Sequence, residues 1–289
     1  MTGRLLLLCP GQGGQHAGMF DLVRTHAGAR AFLDAGALRD DPPALFANRV
    51  AQPAIVAATL AMWLALKSAL PAPALVAGYS IGELAAYGVA GALDDAVPLA
   101  AARAALMDAA AEGQPQGLAA VGGIDVGQVR AVIDVAIVTG DDSCIAGGTA
   151  AQLDALPGQL PAARIQRLPV GVASHTALMR GAVAPFAQRL RESAFAPWRC
   201  PVLAGVDAAR VLRPEIAIDR LARQLAGTID WAACMDAASE AGITVALELG
   251  PGAALSRMLR ARHPHIACRS VADFQTLAGI ASWVNRELD

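Results

Sequence analysis

Ser80 is the residue of this sequence best placed for nucleophilic chemistry. It lies in the pattern Gly78-x-Ser80-x-Gly82, between an apolar run at 75–77 and a run at 84–90 that is typical of a helix. A serine on so tight a strand-to-helix turn is crowded, and glycine two residues to either side relieves the clash. The turn also places Ser80 at a helix N-terminus, where unpaired backbone N–H groups can hold an oxyanion. The pattern predicts a serine nucleophile, with a chance occurrence in a loop as the alternative.

A serine hydroxyl attacks only when a base removes its proton, so a histidine is needed beside it. The five histidines of the chain are His16, His26, His175, His263 and His265. His175 is favoured because it follows Ser174 at a strand-to-helix junction, and such junctions are where sites gather in α/β sheets. His16 follows a glycine-rich loop and is the second candidate. A purely structural histidine is the alternative for either.

An acid that could orient the histidine is harder to find. Glu248 and Asp273 are possible, whereas Glu83 is too close to Ser80 in sequence to orient a distant imidazole easily. A backbone or amide oxygen could take that role instead. In α/β-hydrolases the histidine comes late in the chain, after the acid. Here the favoured histidine comes mid-chain, which argues against a true α/β-hydrolase.

Arg103 is the charged residue of interest in a predicted helix at 93–111. Its neighbours in sequence are alanine and leucine. An arginine in such surroundings either extends its head group to water or is buried against an anion. The helix pattern alone favours extension to water.

The composition is that of a globular chain with a large core. Of 289 residues, 55% are apolar and 17% are charged, and the net charge is −2. So small a charge gives no field that would gather nucleic acid or an anionic membrane surface. The longest apolar run, at 54–66, is too short to span a bilayer and indicates a buried helix. We therefore expect neither nucleic acid nor a membrane as a partner.

The five cysteines are scattered along the chain and odd in number. No two form a Cys-x-x-Cys pair, so the sequence offers neither a zinc knuckle nor a thioredoxin-like motif, and no metal site is predicted. Such a set suits a reducing cytoplasm. The apolar run at 5–9, which ends before Pro10, is shorter than the apolar region of a secretory signal. The expected location is the cytoplasm.

A glycine-rich loop at 10–15 follows the first predicted strand. Gly11-x-Gly13 after a strand suggests a dinucleotide fingerprint, but His16 stands where the third glycine would be. A loop that brings backbone amides close to a reacting group fits better, with an ordinary turn as the alternative.

Alternating strands and helices predict an α/β fold with a central, mostly parallel sheet. The elements expected in this core are strands at 5–9, 75–77, 197–206, 245–249 and 266–271, and helices at 20–33, 52–66, 84–90, 93–111, 179–190, 221–225, 231–241, 253–262 and 274–288. A loop is expected at 40–43. Pro53 is expected in the first turn of its helix, where proline is tolerated.

A smaller unit is predicted within this core. Short strands at 118–123, 136–139 and 165–168 alternate with helices at 126–134 and 149–156. This order predicts a ferredoxin-like α+β subdomain at 117–168. The core is then made of residues 1–116 and 169–289.

Six short motifs together resemble those of malonyl-CoA:acyl carrier protein transacylases, over nearly the whole chain. They are Pro10-Gly11-Gln12-Gly13, Gln52-Pro53-Ala54, Gly78-Tyr79-Ser80-Ile81-Gly82-Glu83, Arg103 with Leu106-Met107, Ser174-His175-Thr176-Ala177-Leu178-Met179, and Glu248-Leu249-Gly250-Pro251-Gly252. Each motif is short, but their joint order and spacing are specific. The resemblance implies an α/β-hydrolase-like core with a small ferredoxin-like subdomain.

The resemblance also implies a role for each site residue. Ser80 would be the nucleophile and His175 the base, held by backbone carbonyls rather than a carboxylate. The backbone amides of Gln12 and Ile81 would form the oxyanion hole, and Arg103 would pair with the free malonyl carboxylate, which reverses the expectation from the helix pattern. The substrate would be malonyl-CoA. No cofactor is implied beyond the phosphopantetheine-type group of the partner, an acyl carrier protein.

Two positions depart from the fatty-acid-synthesis enzymes of this family. Tyr79 stands where those enzymes usually have histidine, and Gly140-Asp141-Asp142-Ser143 replaces an Asn-rich loop. Tyr79 resembles the malonate decarboxylase branch, whose epsilon subunit is a malonyl-CoA:acyl carrier protein transacylase. We therefore expect the carrier of malonate decarboxylase as the acceptor. A fatty-acid-synthesis transacylase, a serine thioesterase and a non-catalytic carrier-docking subunit are the alternatives.

Overall fold

The computed structural model describes residues 3–36, 44–198 and 200–289, so the predicted loop at 40–43 lies outside the described residues. The strands are β1 (Leu5–Cys9), β2 (Leu75–Gly78), β3 (Gln116–Gly122), β4 (Asp134–Val138), β5 (Ser143–Thr149), β6 (Arg164–Arg167), β7 (Val202–Leu203), β8 (Arg210–Val211), β9 (Ile229–Asp230), β10 (Val245–Glu248) and β11 (Ala267–Ser270). The α-helices are α1 (Asp21–Arg24), α2 (Ala27–Ala35), α3 (Asn48–Leu66), α4 (Ile81–Val89), α5 (Ala96–Ala110), α6 (Val126–Arg130), α7 (Ala150–Gln159), α8 (Arg180–Glu192), α9 (Pro214–Arg223), α10 (Trp231–Glu240), α11 (Ala254–Arg262) and α12 (Leu277–Leu288).

The first sheet has the strand order β11-β10-β1-β2-β7-β8. All its pairs are parallel except β7 with β8, which is antiparallel at the edge. Its central strand, β1, is buried along its whole length, as expected for a parallel sheet covered by helices on both faces. The predicted α/β class with a mostly parallel central sheet is confirmed.

The register of this sheet brings two predicted loops together. Cys9, the last residue of β1, pairs with Gly78, the last residue of β2. The chain continues from these ends into the glycine-rich loop and into the turn at Ser80. The carboxyl ends of neighbouring parallel strands are where α/β proteins bind their ligands.

The second sheet has the order β6-β3-β5-β4-β9. Its first four strands pair antiparallel and follow the β-α-β-β-α-β order of a ferredoxin-like unit. The sequence prediction missed β5, whose residues Ser-Cys-Ile-Ala-Gly-Gly-Thr hold little β-branched or aromatic character. The fifth strand, β9, comes from the part of the chain assigned to the core and runs parallel to β4. The subdomain limits at 117 and 168 stay a prediction.

Helix α3 begins earlier than predicted. It starts at Asn48, so Pro53 lies inside the helix rather than in its first turn. The run is long and apolar enough to cross a membrane by length and composition alone, but 72% of it is buried inside the protein. It is a core helix, as the sequence indicated.

Other boundaries differ for local reasons. The helix predicted at 20–33 is two helices, because His26 adopts an extended backbone and its Nδ1 caps the N-terminus of α2 by accepting from Ala29 N. The strand predicted at 197–206 is only β7, and the helix predicted at 221–225 begins at Pro214, a favoured first position.

Apolar packing joins the two sheets. One buried cluster combines Leu8 and Ala77 of the first sheet with Leu118 and Ile137 of the second, together with Trp231 of α10. The two sheets therefore share a core.

Candidate active site

Ser80 stands between β2 and α4 with a strained backbone. Its φ is 56° and its ψ is −119°, values that are uncommon for a residue other than glycine. A Cβ on Gly78 would overlap the backbone of Gly82 and Glu83, and a Cβ on Gly82 would overlap Cys9 O. Gly78 is therefore required for the tight turn into α4, and Gly82 for the packing of that turn against β1.

His175 is directly hydrogen-bonded to this serine. Ser80 Oγ lies 2.7 Å from His175 Nε2, and His175 Nδ1 lies 2.5 Å from Gln224 O. A carbonyl oxygen can only accept, so Nδ1 carries the ring proton and Nε2 accepts from the Ser80 hydroxyl. The backbone N–H of His175 also donates to Leu225 O at 2.8 Å, which fixes the residue in the left-handed region at φ 64°.

Burial keeps this imidazole neutral. His175 is 1% exposed. Its pKa is lowered to about 3, mainly by burial and also by the charge of Arg103, while the bond to Gln224 O acts in the opposite direction. A neutral imidazole with a free Nε2 lone pair is the form that can accept a proton.

The hydrogen bonds given for the carboxylates considered from the sequence are to groups other than His175, although Glu248 also lines the cavity beside Ser80. Glu248 accepts from Leu255 N and Ser256 N at the start of α11, and Asp273 accepts from Ser270 N. The second histidine candidate, His16, is exposed, and its Nδ1 bonds to Ala17 O of its own loop. The residue that orients His175 is Gln224, through its main chain.

Arg103 is buried, so the expectation that it extends to water is wrong. The side chain belongs to α5 and is 2% exposed. Its Nη1 donates to Gln52 Oε1 at 2.7 Å and its Nη2 faces Gln224 Oε1 at 3.4 Å. Burial lowers the pKa of Arg103 to about 10, and the charge of Glu83 opposes that effect. The guanidinium therefore stays charged at neutral pH although its two partners are neutral amides.

Side-chain amides connect this arginine to the glycine-rich loop. Gln52 Nε2 donates to Asn48 Oδ1 at 2.6 Å and lies 3.4 Å from Gln12 Oε1. Because the amide nitrogen of Gln52 is engaged in this way, its oxygen is left to face Arg103.

Glu83 is the buried carboxyl nearest to this network. It is 0% exposed, and its Oε2 accepts from Gly205 N at 2.9 Å and from Gln224 Nε2 at 2.6 Å. Burial raises its pKa to about 8; the Gly205 N–H bond and the charge of Arg103 act in the opposite direction. Glu83 does not touch His175. It binds the side chain of Gln224, whose main-chain oxygen accepts from His175.

A cavity of about 540 Å³ opens beside Ser80 and His175, between the two sheets. Gln12 lines it from the glycine-rich loop, and Leu118, Ile137 and Ile145 line it from the second sheet. Arg103 and Ile81 are not among the lining residues. Ile81 is the first residue of α4, so its N–H has no acceptor within the helix and lies next to Ser80.

The cavity suits a thioester or ester with an extended, partly apolar arm. Of the described residues, no three histidine, cysteine, aspartate or glutamate side chains are grouped to hold a metal ion. A serine bonded to a neutral, oriented histidine at a helix N-terminus is an arrangement for acyl transfer through a covalent intermediate.

Sequence reasoning missed Gln224 as a member of this site. It acts on His175 through a main-chain carbonyl, which every residue carries, so its identity gives no signal in a single sequence. The sequence pointed to Gln52 only as a member of the Gln52-Pro53-Ala54 motif, and not as the residue that accepts from Arg103.

The fold and the serine–histidine pair define an acyltransferase. A family model described as "Acyl transferase domain" matches residues 6–279, and the chain belongs to that family. The chain is 34% identical to a malonyl CoA-acyl carrier protein transacylase of Mycobacterium bovis over 302 residues, covering 96% of this chain and 100% of the relative.

Solved structures agree with this assignment. The structure of MCAT from Mycobacterium tuberculosis superposes with a TM-score of 0.89 at 31% identity, covering 96% of this chain and 99% of the other. PlMCAT, a malonyl-transacylase solved in complex with the type II PKS acyl-carrier protein AntF, superposes with a TM-score of 0.88 at 26% identity and the same coverage.

Proposed function

We propose that this protein transfers a malonyl group from malonyl-CoA to the thiol of an acyl carrier protein, through a malonyl ester on Ser80. The observation that carries the proposal is the 2.7 Å contact between Ser80 Oγ and His175 Nε2. The buried guanidinium of Arg103 is linked to this pair by Gln224, which contacts His175 through its main-chain oxygen and Arg103 through its side chain. The names of the relatives support the acyl group and the acceptor.

In the first half-reaction, Ser80 Oγ attacks the thioester carbonyl carbon and its proton passes to His175 Nε2. The backbone N–H groups of Ile81 and Gln12 stabilise the oxyanion that forms. When the carbonyl bond re-forms, the C–S bond breaks and the CoA thiolate takes the proton from His175. The products are malonyl-Ser80 and free CoA.

In the second half-reaction, the carrier's thiol attacks the malonyl-Ser80 ester. His175 takes the thiol proton and then returns it to Ser80 Oγ, which leaves as a hydroxyl. Thioester and hydroxyl are both restored, so the cycle consumes no other reactant and needs no cofactor of the enzyme's own.

Arg103 selects an acyl group that carries a carboxylate. Its guanidinium uses two of its five N–H donors on the amides of Gln52 and Gln224, and we propose that the substrate carboxylate pairs with the others. An acetyl group would leave that buried charge without an anion, which costs binding energy.

Replacing this arginine tests the acyl specificity. Arg103→Ala should lower kcat/KM for malonyl-CoA by roughly 100-fold, since charge-assisted hydrogen bonds are lost, and should raise the relative rate with acetyl-CoA. Arg189→Ala, which removes an exposed arginine paired with Glu192 on α8, serves as the control. Unchanged malonyl turnover in Arg103→Ala would contradict the assignment.

We propose the carrier of malonate decarboxylase as the acceptor, because Tyr79 precedes the nucleophile Ser80. We propose the cytoplasm as the location. Tyr79 lines the cavity and packs edge-on against Trp231, with ring centroids 5.4 Å apart. Malonyl transfer to that carrier and to a fatty-acid-synthesis carrier should be measured side by side. Faster transfer to the fatty-acid carrier would reject this acceptor but leave malonyl transfer itself intact.

The function as a whole is tested by mass spectrometry of the intact protein after mixing with malonyl-CoA. A malonyl adduct on Ser80 that disappears when a carrier thiol is added is the expected result, with Ser80→Ala as the control. Release of free malonate to water at the same rate without carrier would identify a thioesterase. No adduct on Ser80 would leave only a carrier-docking role.

A further inference from the structure

Gln224 joins the two parts of the site. Its main-chain oxygen accepts from His175, while its side chain lies between Arg103 on one side and Glu83 on the other. The residue is 1% exposed, so neither end of its amide reaches water. What orients this amide therefore affects the surroundings of the guanidinium.

A buried amide works here in only one orientation. With Oε1 toward Arg103, an acceptor faces a donor; turned over, its NH₂ group would face the guanidinium, donor against donor. The acceptor on the opposite side is Glu83 Oε2, at 2.6 Å from Gln224 Nε2. Glu83 is itself fixed by Gly205 N, which donates to the same oxygen.

We propose that Glu83 is a positioning residue for acyl specificity: by accepting from Gln224 Nε2 it turns the Gln224 oxygen toward Arg103, and so holds the guanidinium in place for the substrate carboxylate. This inference rests on the proposed function. It assigns to Glu83 an action through Gln224, not a contact with the substrate.

Because Gln224 lies between Glu83 and Arg103, Glu83 does not compete with the substrate carboxylate for the guanidinium. Among the described residues, no carboxylate lies within ion-pair distance of the Arg103 guanidinium, whose polar partners are Gln52 and Gln224. A carboxylate in direct contact would occupy the donors that a malonyl group needs. The interposed amide lets Glu83 orient the arginine while leaving those donors available.

The arrangement does not depend on whether Glu83 is ionised. Burial raises the pKa of this carboxyl to about 8, and Oε2 accepts from both donors in either protonation state. A glutamine side chain offers an amide oxygen in the same position. This similarity supplies a conservative variant that keeps the orienting bond.

The first test compares Glu83→Leu with Glu83→Gln. In Glu83→Leu we expect the ratio of kcat/KM for malonyl-CoA to kcat/KM for acetyl-CoA to fall about tenfold, mainly through a higher KM for malonyl-CoA. In Glu83→Gln we expect the ratio to stay within about twofold of that of the unmodified protein. An equal loss with both thioesters would indicate a purely structural role and would overturn the inference.

The second test asks whether Glu83 acts through Gln224. Gln224→Met removes the side-chain amide but keeps the carbonyl that orients His175. The double variant Glu83→Leu with Gln224→Met should lose no more malonyl preference than Gln224→Met alone, because residues in one network are not additive. Losses that multiply to about a hundredfold would show independent actions and would overturn the inference.

Tyr87→Phe is the matched control. Tyr87 lies one turn after Glu83 on the same helix, is fully buried, and its hydroxyl has no hydrogen-bond partner among the described residues. Its malonyl-to-acetyl ratio should not change. If the unmodified protein transfers no malonyl group, the proposed function fails; if it does and Glu83→Leu keeps its preference, only this inference fails.

Discussion

The protonation of His175 is decided by what its two ring nitrogens touch. Gln224 O fixes the proton on Nδ1, and burial disfavours a second proton on Nε2. The neighbouring charge of Arg103 acts in the same direction as burial. The imidazole therefore remains a base well below the pH at which an ordinary histidine is protonated.

The pH dependence of the first half-reaction follows from this. An unperturbed histidine has a pKa of about 6.5 and would lose its function as a base below that pH. Because the pKa of His175 is lowered to about 3, we expect kcat/KM for malonyl-CoA to stay flat from about pH 8 to about pH 5. Release of CoA at a series of pH values measures it. A tenfold loss per pH unit below about pH 6.5 would contradict the assignment.

Folding stability should follow the same group. Below about pH 6.5 the unfolded chain binds a proton at His175 that the folded protein does not, so the free energy of unfolding falls as the pH is lowered from there toward 3. Urea denaturation at each pH shows whether the enzyme is still folded where its rate is measured.

The residues of this site differ in how well their roles and burial can be predicted from the sequence. Ser80 and His175 stand at strand-to-helix junctions, which a pattern of apolar runs and glycines can locate. The burial of Arg103 could not be predicted from α5 alone, because the partners that accept from it, Gln52 and Gln224, come from distant parts of the chain. Glu83 was discounted for orienting His175, and its actual partner is Gln224.

Among the secondary-structure elements, the turn between β2 and α4 leaves the least room for change. Gly82 lies against the carbonyl of Cys9, the last residue of β1, so the first turn of α4, which begins at Ile81, is in direct contact with the central strand. A side chain at this point would separate α4 from β1. The geometry of Ser80 depends on that contact.

Gly82→Ala should therefore destabilise the protein and remove its activity. Overpacking of this kind costs about 3 kcal/mol, which corresponds to a fall in Tm of roughly 5–10 °C. The control is Gly158→Ala in α7, where an added Cβ meets nothing within 4 Å. Calorimetry and malonyl transfer should show loss in Gly82→Ala and little change in Gly158→Ala. An active, equally stable Gly82→Ala would contradict the steric argument.

Element prediction failed where tertiary contacts override local pattern. β5 is a strand because β3 and β4 pair with it on both sides, although its own residues include two adjacent glycines. α3 extends before Pro53, where Asn48 Nδ2 donates to Asp108 Oδ1 of α5 at 2.9 Å. Neither partner is visible from the local sequence.

At the scale of the whole molecule, the two sheets form one packed structure rather than two independent units. A short segment after Gln224 leads into β9, which pairs with β4 in the second sheet, and Thr228 Oγ1 of that segment donates to Val135 O at 2.8 Å. Asp230 N then donates to Gly205 O at 2.8 Å. The segment that orients His175 is thus held by both sheets.

A single cooperative unfolding transition is therefore expected. Leu156 is fully buried in the outer core of the second sheet, away from the cluster that joins the sheets. Leu156→Ala should lower stability by about 2–5 kcal/mol, and because the sheets are coupled it should shift the one transition of the whole protein. Scanning calorimetry tests this through equality of the calorimetric and van't Hoff enthalpies. A separate low-temperature transition that leaves the first sheet folded would show instead that the site is built between two independently stable units.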